Sequence, residues 1–226
     1  MDPRADLAAR NNAEWCDLVC RAHGIETVFD EDGWFAGRRT PRFYPDAVTL
    51  REGLAAGDLL PRIDSSPGCS IKDSFASVDL SGDGFGLLFE AEWIHREPTP
   101  QRIGSGLRWA AMQTAEGLAV WTAARGDGHH FDPSLLDNAA VAFLLALDGD
   151  VPVAGAIANR SAGAVGLSNL FSVGADPDEV WVGASDAIAV RFPGLPLVGY
   201  ERGASLSAAR RAGFVTVGPL RVWANA

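Results

Sequence analysis

The chain has 226 residues, 47% of them hydrophobic and 21% charged; this excludes a disordered or fibrous chain and allows one large domain or two smaller ones, each with a core. A formal net charge of -10 and a pI near 4.8 oppose contact with phosphate backbones, so DNA and RNA are not expected as partners. No apolar run approaches the roughly 18 residues of a spanning helix, and the start lacks the basic-then-apolar order of a signal peptide, so a cytoplasmic protein with no membrane partner is expected.

Residues 11–23 place Trp15, Leu18, Val19 and Ala22 at helical spacing, which predicts a short amphipathic helix capped by Asn11 and stopped by Gly24. The following DEDGWFAGRRTPRFYPD, with Pro41 and Pro45, reads as a surface loop or edge segment. Three strands are then predicted, at 47–50, 74–80 and 85–94, the last two joined as a hairpin by the Gly82-Asp83-Gly84 turn. REPTPQRIGSG, with Pro98 and Pro100, reads as a linker. It places a domain boundary near Ile103, dividing the chain into 1–100 and 105–226.

The second stretch opens with a strand, LRWAAMQ, and a helix from Thr114 to Gly126. A short turn beginning at Asp132-Pro133 follows. Three apolar runs between 139 and 173, broken at Asp148-Gly149-Asp150 and Ser161-Ala162-Gly163, predict an antiparallel meander. A helix over 177–192 with Asp176 as cap, the strand LPLVGY, a helix over 205–212 and a closing strand from Phe214 complete the chain.

That element order, together with RRAGF before the last strand, resembles the GNAT-type N-acyltransferases from Gly106 to Ala226. The resemblance implies an α+β (α/β) fold: a mixed, mostly antiparallel central sheet flanked by helices. It also implies an acyl-CoA-dependent N-acyltransferase, an acetyltransferase using acetyl-CoA without a metal, acting as a monomer or homodimer. The backbone of Phe171, Ser172 and Val173, on the fourth strand, would bind the pantetheine arm as an added strand does. The diphosphate would sit at the start of the next helix, with Gly183 and Ala184 as the late small residues. Here the turn departs from the family pattern: Asp178, Glu179 and Trp181 stand where Arg or Gln and two small residues are usual. Ala209 replaces the usual Tyr acid.

Tyr200 and Glu201, at the end of LPLVGY, are the nearest substitutes as catalytic residues, a carboxylate for the amine proton and a phenol for the sulfur; their alternative roles are packing and a solvated charge. The acidic chain suits a small cationic amine as substrate. The alternative function is a binding module that has lost coenzyme A. The first stretch could be a reduced copy of the second, a tandem arrangement.

Three cysteines, Cys16, Cys20 and Cys69, make no disulfide framework and fit a reducing compartment. Cys16, Cys20 and His23 share a helix face at metal-ligand spacing but lack a fourth ligand, which favours packing. Cys69 has no adjacent base in the sequence. His129 and His130 point different ways as neighbours and read as a turn. Lys72, the only lysine among 19 basic residues, reads as compositional bias toward Arg.

Overall fold

The computed structural model describes residues 2–99 and 106–225, so the boundary near Ile103 lies outside the described residues. The first helix, α1 (Pro3–Ala22), begins eight residues before the predicted start. Asp2 accepts the Arg4 N–H and Pro3 takes the first helical position, a stronger start signal than Asn11. Asn11 is instead buried in mid-helix.

The Gly- and Pro-rich segment contains a hairpin, β1 (Thr27–Phe29) and β2 (Gly33–Ala36), followed by β3 (Ala47–Thr49) and the one-turn helix α2 (Ala56–Leu59). The next strand is β4 (Ser70–Asp73), not residues 74–80 as expected. The buried Asp73 carboxylate accepts the N–H groups of Phe75 and Val78, and Ala76 has φ +52, so the chain turns where alternation had suggested a strand. The expected hairpin is therefore not formed. The long strand β5 (Phe85–Arg96) pairs elsewhere.

The remaining elements follow the predicted order: β6 (Arg108–Met112), α3 (Ala115–Arg125), β7 (Val141–Asp148), β8 (Val151–Ser161), β9 (Ala164–Ser172), α4 (Pro177–Arg191), β10 (Leu197–Glu201), α5 (Gly203–Arg211) and β11 (Val215–Asn225). Thr114 caps α3 and Gly126, at φ +74, ends it.

All strands join one sheet in the order β1-β2-β3-β4-β11-β5-β10-β9-β8-β7-β6. Only β3 with β4 and β9 with β10 are parallel; the other neighbours are antiparallel. The expected mixed, mostly antiparallel sheet is thus present. The strand β5 lies between β10 and β11, so a strand from the first stretch completes the sheet of the second.

Helices cover both faces. On one, α1 and α3 bury Trp15, Cys16, Val19, Leu118 and Trp121 against Phe143, Leu145 and Ile157. On the other, α4 and α5 bury Trp181, Ala184, Ile188 and Ala209 against Ile94, Leu144, Ala156 and Leu167. Strand alternation assigns neighbours to opposite faces: Val198 packs with α1, Leu197 with α4 and α5. The helix α1 lies so close to β9 that a Cβ on Gly166 would overlap the amide oxygens of Asn11 and Asn159. Those two buried amides hold each other, Asn159 donating to Asn11 and Asn11 to the Asn159 carbonyl at 3.2 Å.

Among the described residues no helix is long and apolar enough to cross a membrane. Cys16, Cys20 and Cys69 are buried free thiols, their pKa values pushed up by burial to about 11, 12 and 11. The described residues hold no group of three His, Cys, Asp or Glu suited to a metal ion.

Candidate functional site

The parallel pair β9–β10 is paired only through Val165 with Leu197 and Gly166 with Val198, closed by the Val165 N–H on the Pro196 carbonyl. The paired ladder stops there, and beyond Leu167, whose carbonyl still crowds Gly199, the strands part. A register shift opposite Gly155–Ile157 and a left-handed Asn169, at φ +53, bend β9 away from β10. The gap opens into a cavity of about 400 Å³, bounded by Gly166–Leu170 on one strand and Gly199–Glu201 on the other. The α1 side is closed by Asn12, Trp15, Tyr44 and Lys72, and the α3 side by Arg125, Asp127 and His129.

Tyr200 and Glu201 both line this cavity from opposite faces of the sheet. Tyr200 stands edge-on to Trp93 at 5.6 Å, with the Lys72 ammonium 4.2 Å from its ring centre. Glu201 turns toward α5. Burial pushes its carboxyl up to about 7, against the Ser205 hydroxyl and the Arg202 N–H, which favour the charged form. A carboxylate so poised can accept a proton near neutral pH.

Phe171 packs its ring on Trp121 at 5.2 Å and covers Gly155. The Ser172 hydroxyl donates to the Ala175 carbonyl, and the Val173 N–H is already spent on the Val153 carbonyl at 2.7 Å. None of these three lines the cavity; the part of β9 that does is 166–170. Gly183 and Ala184 are buried in the second turn of α4, among residues that pack on the sheet, away from the helix's first amides.

The start of α4 does not fit a diphosphate. Asp176 already accepts the N–H groups of Asp178 and Glu179, at 2.8 and 3.2 Å. The Asp178 carboxylate is held bidentately by Arg211 at 2.6 Å, and Glu179 accepts the Gly106 N–H at 2.7 Å. Three carboxylates occupy the positive end of the helix dipole and spend its donors.

Sequence reasoning missed the rest of the cavity wall. His129 is not a plain turn residue: its Nδ1 lies 2.8 Å from Asp127, and its ring stacks on Phe43 at 4.3 Å. Burial lowers the His129 pKa. Asp127, despite its own partial burial, is held at about 2 by hydrogen bonds from His129 and Arg125. Arg125 also donates to the Asn169 carbonyl at 2.8 Å, fixing the bend in β9. Lys72, discounted as composition, is only 4% exposed and donates to Asn12 at 2.7 Å. A lone lysine among Ser70, Ile71 and Asp73 in a strand was the available signal.

No protein-family model matches the sequence, and no curated protein is similar to it in sequence. Solved structures share its fold. A GCN5-related N-acetyltransferase from Kribbella flavida superposes with a TM-score of 0.66 at 15% identity, over 96% of this chain and 95% of that one. A protein assigned to the GNAT family from Novosphingobium aromaticivorans gives 0.55 at 13% identity, over 88% and 91%. A GCN5-related N-acetyltransferase-like protein from Streptococcus suis gives 0.51 at 11% identity, over 88% and 82%.

Proposed function

We propose that this chain, which has the fold of the GCN5-related N-acetyltransferases, is an N-acyltransferase whose amine acceptor binds in the cavity between β9 and β10. The observation that carries this reading is the half-buried Glu201 carboxylate, set at the point where two parallel strands part. There it can take the proton of an ammonium group as the amine becomes a nucleophile. The cavity holds the amine beside the exposed segment of β9, which supplies proximity, and its walls exclude water. Tyr200 lies across the same gap, where its phenol can reach the reacting groups.

The proposed donor is acetyl-CoA or another acyl-CoA, as the names of the similar structures suggest. Because the start of α4 is filled by carboxylates, the coenzyme's diphosphate is proposed to lie away from that helix, and donor affinity is expected to be low. A monomer or homodimer working without metal or nucleic acid suits the acidic surface.

Titration calorimetry with acetyl-CoA, paired with a thiol-release assay over a panel of small amines, tests this reading. Binding at millimolar coenzyme with amine-dependent thiol release supports it. No heat and no thiol release would overturn it and leave a binding module with the same cavity.

A further inference from the structure

The cavity's α1-side wall holds a buried cation with no anion beside it among the described residues. Lys72, on β4, is buried to 4% exposure beneath α1 and faces the cavity. Among the described residues its one hydrogen-bond partner is the neutral Asn12, and no carboxylate pairs with it. The Tyr200 ring under its ammonium supplies partial compensation only. Beside it, the Tyr44 hydroxyl and the Trp15 indole N–H belong to residues lining the same cavity; both atoms are buried and lie near each other and Asn169 without a well-formed hydrogen bond. Tyr44 is 8% and Trp15 2% exposed, so little water reaches them from outside.

A buried ammonium without a counter-ion is costly unless an anion enters. No described residue supplies one within ion-pair distance. The acids in the cavity wall are engaged elsewhere: Asp127 by Arg125 and His129, Glu201 by Ser205 and Arg202. The wall is therefore a ready receptor for a small anionic group of the ligand.

We infer that the acceptor carries a carboxylate beside its amine, as a free amino acid does, and that Lys72 receives this carboxylate while the amine faces Glu201. The inference rests on the cavity being the acceptor site of the proposed acyltransferase. It replaces the purely cationic amine suggested by the chain's net charge with a zwitterion. Local composition of the wall, not the distant surface charge, sets which group is bound, because charges beyond a Debye length are screened by salt.

The test is titration calorimetry on the whole chain without acyl donor, using the twenty common L-amino acids and the carboxamide of each one that binds. At least one acid is expected to bind, and its carboxamide about tenfold to a hundredfold more weakly, as for loss of a charged hydrogen bond. Lys72→Met should erase the difference between acid and amide. Should that variant not fold, the acid–amide contrast in the unaltered protein decides the matter. Carboxamides binding as tightly as acids, a preference that survives Lys72→Met in a folded protein, or no acid binding at all would overturn the inference. Acid-selective binding with no thiol released from acetyl-CoA would keep it and overturn the acyltransferase reading. Equal turnover of amines with and without a carboxylate would do the reverse.

Discussion

Glu201→Gln keeps the shape of the side chain and removes its charge, and its effect on stability can be worked out from the site. Burial raises the folded-state pKa from 4.5 to about 7, while the unfolded chain titrates near the lower value. Between these values the folded state binds the proton more tightly, so stability is lost as pH rises through the interval. A shift of about 2.5 units corresponds to about 3 kcal/mol, present as a full cost above pH 7 and absent below about pH 4. Gln carries no such cost. The stability gap between variant and parent should therefore widen by about 2–3 kcal/mol between pH 5 and pH 8. In a chain of this size that is about 4–12 °C in Tm. Urea and thermal melts across that range measure it, and a gap that stays constant with pH would refute the burial account. Activity should move the opposite way: kcat/KM of the parent rises with pH through about 7, and the variant loses about 10²–10⁴-fold, as for removal of a general base.

Tyr200→Phe should lower turnover while leaving the melting temperature within about 2 °C, since the ring keeps its contacts with Trp93 and Lys72; unchanged turnover would remove the phenol from the mechanism. Gly166→Ala forces a Cβ onto the Asn11–Asn159 amide pair, and urea melts should show a loss of about 1–3 kcal/mol from overpacking. An unmoved midpoint would show that α1 can retreat from β9. The double change Asp178→Asn with Glu179→Gln removes two charges from the start of α4 and frees Arg211. Coenzyme A binding, measured by calorimetry at physiological salt, should keep its Kd within about twofold, since the diphosphate is proposed to lie away from that helix; a several-fold tightening would place the diphosphate at the helix start.

Much of the second stretch was legible because its signals are local. Asp176-Pro177 starts α4, Gly126 ends α3, and the turns at Asp148-Gly149 and Ala162-Gly163 fold the meander, each acting within a few residues. The Tyr200-Glu201 pair was found through the resemblance, and the acidic start of α4 could be read directly. Where the signals were non-local, the expectations failed. The partner strands of β5 lie roughly 100 residues further along the chain, while the Asp73 turn, though local through Phe75 and Val78, was hidden by the partial alternation of residues 74–80.

The sequence by itself determined the order, caps and turns of the elements after residue 106, and the crowding of acids where a diphosphate would otherwise bind. Tertiary structure alone decided that β5 lies between β10 and β11, that β9 bends from β10 at Asn169, and that Lys72 faces the resulting cavity. Spacing along a strand says which side chains share a face, but not which distant strand lies alongside. The burial that raises the Glu201 pKa and strips Lys72 of water exists only once those strands have met.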